Sequence, residues 1–141
     1  MGFRIRAAAA ADIPALMTLR AAVNENRLAD PERVQARHYQ PFVERGDLWI
    51  WEDAGRILGF AAGDRDTGWI WALFVEPGFE GRGIGRALLA RACDTLREAG
   101  FSEATLSTDP DTRAARFYRR AGWREAGSRA DGELIFKAGI G

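Results

Sequence analysis

Gly81, Gly83 and Gly85 alternate with other residues in the stretch LFVEPGFEGRGIGRALL, Leu73 to Leu89, with arginines at Arg82 and Arg86. The stretch opens as an apolar strand, breaks at Pro77-Gly78, and runs on into an apolar-periodic helix. A helix start leaves backbone N–H groups without partners, and its dipole favours negative charge there. Glycines ahead of it let the main chain approach a ligand closely and adopt positive φ. Gly81, Arg82, Gly83, Ile84, Gly85 and Arg86 therefore read as an anion cradle, and a phosphate is the natural anion. The two arginines add charge to it. The lysine-containing nucleotide loop GxxxxGK[ST] is absent, and the dinucleotide fingerprint GxGxxG fails because Arg86 stands where its last glycine belongs.

Other residues with chemical potential are fewer. Trp49 and Trp51, and Trp69 and Trp71, form two alternating pairs, each expected to share one sheet face. Cross-strand packing accounts for some of them; Trp69 and Trp71 are candidates for the wall of a pocket, favouring a flat or apolar body or a cation on the rings. Arg113, Arg116, Arg120 and Arg124 fall near one face of a short helix and its end, a basic stripe or a solvated surface. Cys93 and His38 are each alone of their type, which argues against a disulfide framework and a transition-metal site.

The elements that must position these groups follow from periodicity. FRIRAA reads as a first strand; Asp12 as the cap of a helix with an Ile13, Leu16, Met17 and Val23 stripe; Val34, His38 and Phe42 as one face of a second helix starting near Asp30-Pro31. LWIWED and RILGFAAGD form a hairpin around Asp53 to Gly55, and WIWALFV a further strand. Ile84, Leu88, Ala92, Leu96 and Ala99 mark the helix after the glycines, closed by Gly100. EATLSTD, the helix DTRAARFYRRAG, and a hairpin about Asp131-Gly132 complete the chain. The order predicts an α/β mixed sheet with helices on both faces, in one domain over residues 1–141.

Bulk properties narrow the function. Basic and acidic residues number 20 each, so no field of one sign supports a nucleic-acid or anionic-membrane partner. No apolar run approaches the length that spans a bilayer, and the N-terminus lacks a secretory pattern, so a cytoplasmic protein is expected.

Two segments together resemble the GNAT superfamily of N-acetyltransferases. LFVEPGFEGRGIGRALL is similar to its strand, Pro-containing turn, [QR]xxGxG and helix signature; ATLSTDPDTRAARFYRRAGW is similar to its second signature, with A-x-x-F-Y and then G-[FW]. The resemblance implies the GNAT-like fold, a mostly antiparallel twisted sheet of about seven strands splayed between the fourth and fifth. It implies acetyl-coenzyme A as co-substrate, with no metal. The pyrophosphate would lie on the Gly81 to Arg86 amides, and the pantetheine arm on exposed backbone groups of Leu73, Phe74 and Val75. Asp111 and Arg116 would assist, and Tyr118 would meet the sulfur. Two residues depart from the family pattern: Glu80 heads the glycine motif where Gln or Arg is usual, and Asp111 stands where many members have Asn. Glu80 is expected to face solvent or pair with an arginine.

Acetyl transfer to an amine needs a neutral nitrogen, a polarised carbonyl and a protonated leaving thiolate. Tyr118 is the expected general acid, and the N–H of Phe74 or Val75 the expected oxyanion donor. The family's strand glutamate is missing from TGWIWALF. Glu25, in NENRLADP, is the candidate base and Asp109 a second; Asn24, Trp69 and Trp71 are expected to border the acceptor, a primary amine of a small molecule or protein. A non-catalytic acyl-coenzyme A binding module is the alternative, and a homodimer is consistent with the family.

Overall fold

A computed structural model of the chain describes residues 2–23 and 34–141. The elements run β1 (Phe3–Ala7), α1 (Ile13–Val23), α2 (Ala36–Arg45), β2 (Leu48–Asp53), β3 (Arg56–Asp64), β4 (Trp69–Val75), α3 (Ile84–Glu98), β5 (Glu103–Thr108), α4 (Arg113–Arg120), β6 (Arg124–Ser128) and β7 (Leu134–Gly139). The strands form a seven-stranded sheet in the order β1-β2-β3-β4-β5-β7-β6. Every neighbouring pair is antiparallel except β4 and β5. The α/β architecture, the strand number and the splay between the fourth and fifth strands agree with the sequence reading.

Two apolar clusters cover the faces of this sheet. One gathers Ile13, Leu16 and Leu19 of α1 with Tyr39 and Phe42 of α2 over Ile50, Phe60 and Ala72. The other gathers Leu88, Ala92 and Leu96 of α3 with Ala115 and Tyr118 of α4 over Ala61, Leu106 and Phe136. Burial of these side chains is the main stabilising contribution. The helix α3 crosses β3 closely because Gly63 carries no side chain: a Cβ there would lie 2.7 Å from the carbonyl oxygen of Ala92.

Several local expectations shift. In α1 the stripe continues through Leu19, whereas Val23 is 40% exposed. Asp12 lies in a 3-10 turn, Ala10–Asp12, ahead of α1. Its carboxylate accepts the Ala9 N–H at 2.8 Å and a fork from Arg6 at 2.8 and 3.0 Å. The described part of α2 buries Tyr39 and Phe42, three apart, while His38 uses Nδ1 to accept the Gln35 N–H at 2.7 Å. Capping thus claims the imidazole that spacing placed on the buried face. Among the described residues no helix is long and apolar enough to cross a membrane.

Candidate active site

The β4 strand organises the site through two departures from regular pairing. Ala62 faces Ala72 and Gly63 faces Ile70, so Trp71 is an extra residue, a bulge. The bulge places Trp71 and Ala72 on the same side, against the α1 and α2 cluster. Beyond it, β4 and β5 diverge: their pairing is confined to Trp69 opposite Thr105. The Glu76 N–H donates to the Leu58 carbonyl at 2.8 Å, and Phe74 lies opposite Phe60. By antiparallel alternation Phe74 directs its backbone groups to β3, while Leu73 and Val75 direct theirs into the gap. An unpaired sheet edge of this kind offers donors and acceptors to an extended amide ligand.

The glycine turn stands at the end of that gap. Gly81 and Gly83 have φ of 79° and 85°, a region that side chains strongly disfavour. Among the described residues no side chain caps α3 at Gly83, so the leading N–H groups of Ile84, Gly85 and Arg86 remain presented at the positive end of a fifteen-residue helix. A Cβ added at Gly81 or Gly83 would meet no heavy atom within 4 Å. The space above the turn is open, and the donors fit a diphosphate.

Two adjoining cavities flank this arrangement and share Val23, Leu73, Phe74, Glu80, Arg113 and Tyr118 in their walls. The first, of about 620 Å³, is lined by Leu73 to Val75, Gly81, Gly83, Gly85, Arg86, Phe117 and Arg120. The second, of about 700 Å³, lies along Trp69 to Phe74 and reaches Arg20, Asp109, Arg129 and Glu133. Both fall in the size range of small-molecule sites.

Most sequence-predicted residues converge here. Tyr118 is 6% exposed and its ring contacts Phe117, Trp123 and Phe136. Burial, with Cys93 nearby, raises the phenol well above the ordinary tyrosine range. The α4 helix that carries it starts at Thr112, whose Oγ1 accepts the Ala115 N–H at 3.1 Å. Trp69 and Trp71 line the larger cavity, but Trp71 is already engaged, stacked on Phe42 at 4.5 Å between centroids with the Arg20 guanidinium 5.3 Å from its own. The cation on that ring is therefore the protein's own. Ile84 is buried and offers its backbone, while the Arg82 side chain lies over Phe79, 4.9 Å from the centroid, outside both cavity walls. Asp111, at φ 58°, and Arg116 also lie outside those walls. Asn24 and Glu25 fall outside the described residues. Glu80 is exposed, and its carboxylate accepts the Gly78 N–H at 2.9 Å. A turn amide, not an arginine, satisfies it.

Sequence reasoning missed Arg20, Val23 and Glu133 in these walls. The signal for Arg20 was its place four residues after Leu16, a charge bordering an apolar stripe. Glu133 accepts a hydrogen bond from Ser107 Oγ at 2.8 Å, a cross-strand relation that no local pattern reveals.

The comparisons with known proteins point one way. Residues 14–123 match the model of the Acetyltransferase (GNAT) family. A mycothiol acetyltransferase of Beutenbergia cavernae is 33% identical over 98 residues, 65% of this chain and 33% of that protein. The chloroplastic serotonin N-acetyltransferase 2 of Oryza sativa subsp. japonica is 31% identical over 104 residues, 69% of this chain and 51% of that one. The chain thus spans between a third and a half of these relatives. The PaiA N-acetyltransferase of Thermoplasma acidophilum, solved with coenzyme A, superposes with a TM-score of 0.82 at 16% identity over 99% of both chains. An N-acetyltransferase of Staphylococcus aureus Mu50 does so with a TM-score of 0.79 at 16% identity, over the full length of each.

Proposed function

We propose that this chain, which belongs to the acetyltransferase (GNAT) family, moves an acetyl group from acetyl-coenzyme A to a primary amine, with residues 1–141 acting as one catalytic domain. The observation that carries the reading is the continuity of three features along one cleft. These are the uncapped start of α3 after Gly81 and Gly83, the unpaired edge of β4 at Leu73 and Val75, and Tyr118 in the wall common to both cavities.

The coenzyme supplies an activated thioester when bound. The amides of Gly83 to Arg86 hold its diphosphate, with Arg86 in the adjoining wall, and Leu73 and Val75 pair with the amide-bearing arm. The Val75 N–H, turned from β3, then donates to oxygen charge developing on the carbonyl. Of the two expected donors, Phe74 is spent on β3. Tyr118 holds the proton for the departing sulfur. Its burial keeps it a phenol at neutral pH. The same dry surroundings raise the basicity of a thiolate beside it, which offsets the cost of using so weak an acid. Asp109 and Glu133, together with Glu25 from the sequence reading, are the candidate carboxylates to take the proton that the substrate ammonium loses before its neutral nitrogen attacks.

The test is a pair of measurements on the purified chain. Calorimetric titration with acetyl-coenzyme A is expected to show one site, and thiol release is expected when a panel of primary amines is added. No heat of binding would refute the reading. Binding without turnover on any amine would favour a non-catalytic acyl-coenzyme A module instead.

A further inference from the structure

Arg20 is the feature of the larger cavity that acetyl transfer leaves unexplained. It lies on α1, lines the cavity, and places its guanidinium carbon 4.7 Å from the Phe74 ring centroid and 5.3 Å from that of Trp71. Contacts with ring faces consume none of the five N–H donors, which lie in the guanidinium plane. Among the described residues no carboxylate forms an ion pair with Arg20. Its buried Nη1 makes no hydrogen bond of regular geometry, and the one polar group beside it among the described residues, the Tyr39 hydroxyl, is a neutral neighbour that makes none either. A partly buried cation that meets only ring faces and a neutral hydroxyl among the described residues is well placed to take an anionic acceptor.

We infer that Arg20 receives the carboxylate of the acceptor, so that the substrate is a small amino acid whose amine and carboxylate lie close together. This rests on the transferase reading. The position fits, because Phe74, over which Arg20 sits, lies between Leu73 and Val75, the residues that face the gap. An anion held there is beside the reacting end of the cleft, not at its far mouth. Charge fits as well. The described wall carries Arg20, Arg113 and Arg129 against Glu80, Asp109 and Glu133. Such balanced lining suits a zwitterion better than a phosphate dianion or a polyamine. A guanidinium fork also matches a planar carboxylate in two parallel hydrogen bonds.

Thiol release would be followed with each standard amino acid and its carboxamide, on the wild type and on Arg20→Gln. An amide's amine is the less basic of the two and is more often neutral, so without Arg20 the amide would react better. At least one acid is expected to exceed its amide in kcat/KM by about 10- to 100-fold, the size of a lost charge-assisted contact. Arg20→Gln should erase that preference through KM, with acetyl-coenzyme A affinity and amide turnover preserved. Acid and amide reacting equally in the wild type, or a preference that survives in Arg20→Gln, would overturn this inference and leave the transferase reading standing. Coenzyme binding with no acid, amide or simple amine consumed would overturn both. Should Arg20→Gln not fold, the wild-type comparison decides alone.

Discussion

Replacing Tyr118 by Phe removes one oxygen and keeps the ring. The ring contacts with Phe117, Trp123 and Phe136 survive, 5.2, 5.8 and 5.9 Å between centroids. Trp123 also donates its backbone N–H to the Tyr118 carbonyl at 3.0 Å, a bond the substitution leaves untouched. Among the described residues no side-chain hydrogen bond involves the hydroxyl. Unfolding free energy should therefore change by less than about 1 kcal/mol, the scale of one ordinary hydrogen bond. A general acid is worth about 10²- to 10⁴-fold in rate. At 1.36 kcal/mol per tenfold, that is about 3–5 kcal/mol of barrier. Thiol release at saturating coenzyme gives kcat, and urea unfolding and coenzyme titration give the two controls. The expected result is a collapse of kcat with stability and affinity unchanged. Because burial raises the phenol, the wild-type rate should also show no fall through pH ~10, where an ordinary tyrosine ionises. A kcat within threefold of wild type would refute the assignment, and so would a kcat loss that merely follows a loss of stability.

Other consequences are equally direct. Gly83→Ala puts a side chain on a residue with φ 85°, which should cost about 1–2 kcal/mol in a urea melt and weaken coenzyme binding by calorimetry more than it lowers stability. The Arg6 fork and the Ala9 amide hold Asp12 below the usual carboxylate range. A depressed folded value means stability that is complete above the unfolded value and is lost as pH falls through the folded one. Asp12→Asn should thus lower the unfolding free energy from urea melts at pH 7 by about 1 kcal/mol, for a pair only partly shielded from solvent, with the gap closing in acid. Cys93 is buried and its thiol is pushed up to about 11, so Ellman's reagent should find no thiol in the native chain at pH 7 and one in denaturant. Thiol-release assays will then have a clean baseline.

What could be read from the chain depended on whether the signal was local. The glycine turn and the tyrosine helix announce themselves because backbone conformation and capping are set by adjacent residues: Gly83 by its φ, Thr112 by its side chain. The faces of β4 did not. A bulge at Trp71 leaves hydrophobic alternation looking intact while turning two successive residues to the same side. Val34, His38 and Phe42 share a helical spacing, yet α2 begins only at Ala36, and tertiary packing buries Tyr39 with Phe42 in place of His38. The larger cavity was the least legible part, since Arg20, Asp109 and Glu133 come to its wall from segments far apart in sequence.

The close approach of Gly63 to Ala92 sets more than packing. Ala92 lies eight residues along α3 from Ile84, about 12 Å at 1.5 Å per residue. The helix behaves as a stiff rod lodged against the sheet at that notch, so the notch fixes where its tip points. The direction of the N–H groups at that tip is thereby governed by a residue that lies in neither cavity wall. A methyl added at that hidden fulcrum would have to push the rod off its notch, and the displacement would be felt at the far tip.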